Sequence, residues 1–222
     1  ATATLPAISR QAAHEDLPEF RKTVSTAMRM MLVLNIPALI GLMVLAEPII
    51  GLIFQRGSFG PSDTTATTAA LLFYAPGLVG YSAVRIAIPC FYAMRNSLTP
   101  ALVSLMSVAL NITLNLILVQ ILGFRGLALG TSIAALFNAL VLVGLLHRRL
   151  HGVDLIRILK TGFKITVAAV FMAVAVSIGH SWLVASLPGT GLLARVFQVF
   201  GSVLIGVAVL AASARLLRIS EW

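Results

Sequence analysis

The chain has 222 residues, of which 59% are hydrophobic and only 10% charged, with a mean hydropathy of +1.01. A soluble domain normally carries about 25% charged residues, so an ordinary soluble fold is excluded. The formal charge of +9, from 16 Lys and Arg against 7 Asp and Glu, is divided into short clusters between apolar runs. A nucleic-acid interface needs its basic residues on one solvent-exposed face; clusters in gaps instead suit membrane topology and anionic headgroups.

Six apolar runs succeed one another, at about 32–54, 66–93, 98–122, 126–146, 163–184 and 192–214. Each can cross a hydrocarbon core of roughly 30 Å, which takes about 20 helical residues. The sequence therefore predicts an all-α polytopic membrane protein with six complete transmembrane helices. The basic residues sort by gap. Arg10, Arg21, Lys22, Arg29, Arg95, Arg148, Arg149, Arg157, Lys160, Lys164, Arg215 and Arg218 fall on one side. Arg56, Arg125 and Arg195 fall on the other, and Arg85 lies within a span. The positive-inside rule then predicts a cytoplasmic N-terminal segment and a cytoplasmic C-terminus.

The chain opens Ala1-Thr2-Ala3-Thr4-Leu5-Pro6, with no initiator Met and no signal-peptide pattern. Residues 1–31 are expected to hold the last turn of a preceding helix and then a cytoplasmic amphipathic segment. In that segment Phe20, Val24, Met28 and Met31 recur at helical spacing beside Glu15, Asp16, Glu19, Arg21 and Lys22, which predicts a helix lying on or entering the membrane surface.

Residues 32–150 form the next predicted block, of four transmembrane helices. In the first, Pro37 and Pro48 each remove a helix hydrogen bond, so bends are expected. Glu47, near the outer end, suits either a gate or a simple helix-end placement. Arg56–Asp63 reads as a tight outward turn, with Ser62 or Asp63 able to cap the next helix. The second span is interrupted at Pro76-Gly77 and carries Arg85 and Pro89. The third opens at Thr99-Pro100, and the fourth is rich in small residues, including Gly126-x-x-x-Gly130, which permits close helix approach. A cytoplasmic connection, 151–162, leads to two further spans and a tail over 163–222. Those spans hold few polar groups beyond Thr166, Ser177, His180, Gln198 and Ser202, and are expected to be peripheral. Trp182 and His180 suit the outer interface.

Polar residues inside spans are costly and mark candidate sites. Asn111 and Asn115 share one helix face. Their amides can offer oxygens to a cation or join two helices by hydrogen bonds. Thr131 and Asn138 share a face of the next span. No carboxylate lies in either span, so an ion there would be monovalent rather than Mg²⁺. Arg85 can face a polar cavity, as a substrate-cavity candidate, or snorkel to the interface. Cys90 is the single cysteine, which rules out an internal disulfide. No HExxH, GxSxG, P-loop or Cys/His cluster is present, so an enzyme is not expected.

Three stretches carry a family resemblance. Leu45-Ala46-Glu47-Pro48-Ile49-Ile50 with Phe54-Gln55-Arg56-Gly57-Ser58-Phe59 is one. The second is Ala87-Ile88-Pro89-Cys90-Phe91-Tyr92-Ala93-Met94-Arg95-Asn96-Ser97-Leu98-Thr99-Pro100. The third is Asn111-Ile112-Thr113-Leu114-Asn115-Leu116 and, after it, Gly123-Phe124-Arg125-Gly126-Leu127-Ala128-Leu129-Gly130-Thr131-Ser132. In order and spacing they resemble the MurJ/MviN lipid II flippases, of the multidrug/oligosaccharidyl-lipid/polysaccharide exporter superfamily.

The resemblance implies a 14-helix, two-lobed transporter of the bacterial inner membrane, working by alternating access. This chain would supply the end of the family's helix 8 and helices 9 to 14. That is most of the C-terminal lobe and two extra helices, which in the family line a groove for a lipid tail. The implied partners are an undecaprenyl-diphosphate-linked peptidoglycan precursor, membrane lipids and an N-terminal lobe of the same protein. The family's key cavity arginines lie mainly in helices 1, 2 and 8, outside this chain; Arg85 matches a basic position of helix 10. A family Na⁺ site maps onto Asn111, Asn115, the Leu127 carbonyl and Thr131, with Asn115 standing where an Asp occurs. Na⁺ is thus the implied coupling or structural ion. The rival expectations are an exporter of another lipid-linked glycan, a cation-coupled drug antiporter of the same superfamily, and a non-transporting membrane scaffold.

Overall fold

The computed structural model describes residues 17–150, 152, 154–187 and 191–216. Residues 1–16 and 217–222 lie outside the described residues, and with them the expected helix end at 1–5 and Arg10 and Arg218. The described residues fold into eight helices: α1 Leu17–Val44, α2 Ala46–Phe54, α3 Pro61–Tyr74, α4 Gly77–Ala93, α5 Leu98–Leu122, α6 Phe124–Arg149, α7 Leu155–Ser186 and α8 Leu192–Leu216. Five are long and apolar enough to cross a membrane, and α3 with α4, bent by 41°, make a sixth when taken as one broken span. The expected all-α membrane architecture is present.

The proline expectations resolve differently at each site. Pro76 occupies the break between α3 and α4. Pro48 sits in the first turn of α2, where its missing N–H would have been an orphan. The α1–α2 interruption falls at Leu45, beside the Val44 carbonyl that the Pro48 ring would crowd. Pro37 lies inside α1, which runs on through it. The amphipathic segment and the span after it are one continuous helix to Val44. Asp63 caps α3 by reaching back to the Gly60 N–H, at 2.8 Å. Asn96 caps α5: its Oδ1 accepts from the Thr99 N–H at 3.1 Å and its Nδ2 donates to Thr99 Oγ1 at 2.8 Å. Gly57 and Gly123, at φ 59° and 60°, make the α2–α3 and α5–α6 turns in backbone space that side chains disfavour.

The chain divides into two units, Ala1–Asn35 with Pro76–Gly162, and Ile36–Ala75 with Phe163–Trp222. The first is built on a core of Phe20, Val24 and Met28 from α1, Ala87, Cys90 and Phe91 from α4, and Leu142 and Leu146 from α6. The Phe20–Met31 stripe therefore packs on protein. Burying these side chains gives each about 1.5–3 kcal/mol only relative to water; relative to lipid, fit decides. Close fit is visible. A Cβ on Gly77 would come within 2.8 Å of Ser132 Cα, and one on Gly80 within 2.7 Å of the Ala135 carbonyl carbon. One on Gly126 would run into the Leu118 carbonyl, so the GxxxG pair is a contact surface of α6 on α5.

The second unit packs Leu45 against Met172 and Val176 of α7, with Ile40, Ile49 and Leu210 around them. Gly206 of α8 lies against Val176, at 2.8 Å for an added Cβ. Trp182, expected at an interface, is 66% exposed.

Candidate functional site

The α5–α6 contact brings together the residues singled out from spacing. Asn115 Nδ2 donates to Asn111 Oδ1 at 3.2 Å. Asn111 Nδ2 in turn donates to Thr131 Oγ1 at 3.4 Å. The Thr131 hydroxyl donates to the Leu127 carbonyl at 2.8 Å, one turn back on α6. Two causes assemble this chain: the four-residue spacing places both asparagines on one face of α5, and Gly130 lets α6 approach, since a Cβ there would overlap Asn115 Oδ1.

Asn115 Oδ1 is buried and accepts no hydrogen bond. An unsatisfied buried carbonyl oxygen is costly, about 1–3 kcal/mol, unless a donor or cation meets it. Asn138 Oδ1 is likewise buried without a partner. Asn138 lines a cavity of about 220 Å³ with Asn111, Thr131, Ser107 and Tyr81. Ser107 itself is committed, donating to the Ala134 carbonyl at 2.8 Å. The donor set is all oxygen and carries no formal charge, which fits a monovalent hard cation and not a divalent one. Among the described residues no group of three or more His, Cys, Asp or Glu exists that could hold a metal ion.

Arg85 lies on the exposed side of α4, one turn beyond Tyr81. Tyr81 reaches the 220 Å³ cavity, so the Arg85 face adjoins it. Asn35 of α1 joins α4 through Ser82, whose hydroxyl donates to Asn35 Oδ1 at 2.9 Å. That tie was not read from the sequence, because no periodic signal links residues on separate helices.

The second unit holds a polar cavity that spacing did not reveal. It measures about 500 Å³ and is lined by Glu47, Gln55, Thr64, His180, Arg195 and Gln198, among others. Arg195 donates from Nη1 to Gln55 Oε1 at 2.9 Å and, more weakly, to the Gly51 carbonyl at 3.5 Å. Gln198 donates to the Leu187 carbonyl at 3.0 Å. Both α8 side chains thus bond at the C-terminal ends of neighbouring helices, Arg195 mainly to the Gln55 side chain and Gln198 to a backbone carbonyl. Gln198 and Ser202, expected on a peripheral helix, are buried.

The family whose description is "Lipid II flippase MurJ" matches residues 1–212. A relative from Rickettsia prowazekii, described as "Probable lipid II flippase MurJ", is 32% identical over all of this chain and 44% of its own length. One of the same description from Vibrio cholerae is 37% identical over 68% of this chain and 28% of its own. A solved structure described as "Lipid II flippase MurJ, inward closed conformation" superposes with a TM-score of 0.71, covering 95% of this chain and 42% of that one, at 23% identity, which speaks for the fold. The chain spans less than half the length of these relatives. On the family match and the identity to its members, this chain belongs to the MurJ lipid II flippase family.

Proposed function

We propose that the full-length protein moves an undecaprenyl-diphosphate-linked peptidoglycan precursor from the inner to the outer leaflet of the bacterial cytoplasmic membrane. The observation that carries this reading is the family match across residues 1–212. The physical task is to pass a charged headgroup through hydrocarbon while its tail stays in lipid. A polar cavity exposed alternately to the two sides does this without making or breaking a bond. This chain contributes its part of the C-terminal half, and an N-terminal lobe completes the path. In this reading Arg85 is a substrate-facing cation, supported by its exposed helix face beside a polar cavity. The N-terminal segment and the C-terminus are cytoplasmic in this reading, from the distribution of Lys and Arg.

Asn111, Asn115, the Leu127 carbonyl and Thr131 are the residues that would hold Na⁺, supported by the all-oxygen donor set and the unpartnered Asn115 Oδ1. When bound, the ion supplies positive charge that ties α5 to α6. These side chains orient one another and keep the contact ordered. The test of function is complementation. The full-length gene should restore growth to a bacterium depleted of its own lipid II flippase. Stable membrane expression without rescue would overturn the assignment.

A further inference from the structure

The 500 Å³ cavity of the second unit contains two titratable side chains that the transport reading does not use, Glu47 and His180. His180 lies inside α7, a helix long and apolar enough to cross a membrane, and Glu47 lies in the first turn of the nine-residue α2. Two turns separate Glu47 from Gln55 at the end of α2, about 12 Å, and His180 lies roughly 9 Å short of the end of α7. An ionisable group inside a spanning helix, as His180 is, commonly lines a polar cavity and serves proton or ion movement.

The hydrogen bonds around His180 fix its tautomer. Ser202 is fully buried, and its hydroxyl donates its single proton to the Gln198 carbonyl at 2.6 Å. His180 Nδ1 is 3.0 Å from the same oxygen, so the ring nitrogen must be the donor. Nδ1 carries the hydrogen, and the Nε2 lone pair is left as the ring's acceptor. Glu47 is exposed and makes no ion pair with Arg195 among the described residues. Arg195 instead donates to Gln55 Oε1 and the Gly51 carbonyl.

We propose that this cavity is a proton-binding site: His180 Nε2 takes a proton from water and the imidazolium pairs with the Glu47 carboxylate, drawing α2 toward α7. The charged groups lining the same cavity are Glu47 from α2 and Arg195 from α8; α3 contributes Pro61, Thr64 and Thr65, none charged. A transition metal is a poorer occupant, because one imidazole and one carboxylate leave most of its coordination to water. Proton binding in this cavity does not depend on which lipid-linked substrate the protein carries.

The test uses the full-length protein in lipid nanodiscs, with spin labels on I53C and V184C, two exposed positions on α2 and α7. Taking the pH from about 8 to about 5.5, across the histidine range, should shorten and narrow the label distance in the otherwise wild-type protein. E47Q and H180N should each abolish the change, and E47D should keep it. Ring-nitrogen NMR at the higher pH should show Nδ1 protonated and Nε2 bare, with H180N identifying the signal. An Nε2-protonated ring, no distance change, or a change that persists in H180N or E47Q would overturn the proposal. Should E47Q fail to fold, the E47D and H180N pair with the NMR spectrum decides it.

Discussion

Asn111 of α5 donates its amide hydrogen to the Thr131 hydroxyl of α6 at 3.4 Å, the longest link in a relay that runs from Asn115 to the Leu127 carbonyl. The relay satisfies every member except Asn115 Oδ1. A buried network missing one partner at a known atom is costly, which is why the two readings of these residues, ion site and helix contact, make different predictions.

This separates the ion from the helix contact. If Na⁺ binds, it should raise the melting temperature of the full-length protein in a concentration-dependent way, because a ligand of the folded state stabilises it by mass action. N111A and T131A should remove that dependence. N115D should strengthen it, since a carboxylate raises cation affinity, while lowering stability in Na⁺-free buffer, where the buried charge has no partner. Equal melting in Na⁺ and in choline for all four proteins would leave only the hydrogen-bonded contact.

The glycines of α6 give a sharper steric test. At Gly126 an added Cβ meets the Leu118 carbonyl, which is backbone and cannot move aside. G126A should cost about 1–3 kcal/mol, the usual range for overpacking. Gly144, exposed on the same helix with nothing within 4 Å of its added Cβ, is the control. G144A should be neutral or stabilise by up to about 1 kcal/mol through helix propensity. Denaturation of both variants in one detergent compares them directly, and equal losses would contradict the packing account.

What the sequence made readable was what local chemistry dictates. The spans announce themselves by hydropathy, the Pro76-Gly77 break by backbone sterics, and the Asn111–Thr131 neighbourhood by four-residue spacing plus small residues on the facing helix. Two things were hidden. The Phe20–Met31 stripe has the same periodicity whether it meets lipid or protein, and only the tertiary fold shows that Phe91 and Leu146 cover it. Arg195 and Gln55 are far apart in sequence and look like ordinary helix-end residues; their bond is a product of three-dimensional placement. The partners of Gln198 and Ser202 were equally hidden: both are buried and bonded, while Phe197, Phe200 and Leu204 of the same helix are exposed.

Orientation has its own check. Ser58 lies in the exposed α2–α3 turn, and Arg149 is exposed at the end of α6. The proposed orientation, drawn from the asymmetry of Lys and Arg, would put them on opposite sides of the membrane. In intact cells S58C should react with a membrane-impermeant maleimide, and R149C should react only after permeabilisation. The native Cys90 is fully buried and should stay silent in both. Reversed labelling would invert the assigned topology.

The last prediction concerns what α8 does for its neighbours. The final carbonyls of a helix are poorly supplied with partners from within it, and α8 reaches two helix ends: Arg195 donates to the Gly51 carbonyl and to Gln55 Oε1 at the end of α2, and Gln198 to the Leu187 carbonyl beyond the end of α7. The α2 end needs the help, since its closing backbone bond, Gln55 N–H to the Gly51 carbonyl, is long at 3.3 Å. R195A should therefore speed amide exchange in the last turn of α2, around 52–55, at a cost of about 1 kcal/mol for a half-exposed charged donor. Q198A should act on the end of α7 and leave α2 unchanged. R195K separates charge from geometry: a lysine keeps the favourable interaction with the negative helix end but loses the fixed guanidinium geometry by which Nη1 donates to both Gly51 and Gln55. Partial protection in R195K that disappears in high salt would assign the effect to the dipole, and salt-insensitive loss of protection would assign it to the two hydrogen bonds. Exchange that rises equally at both helix ends in R195A and Q198A would mean that α8 holds the unit together by packing, and that neither side chain acts as a cap.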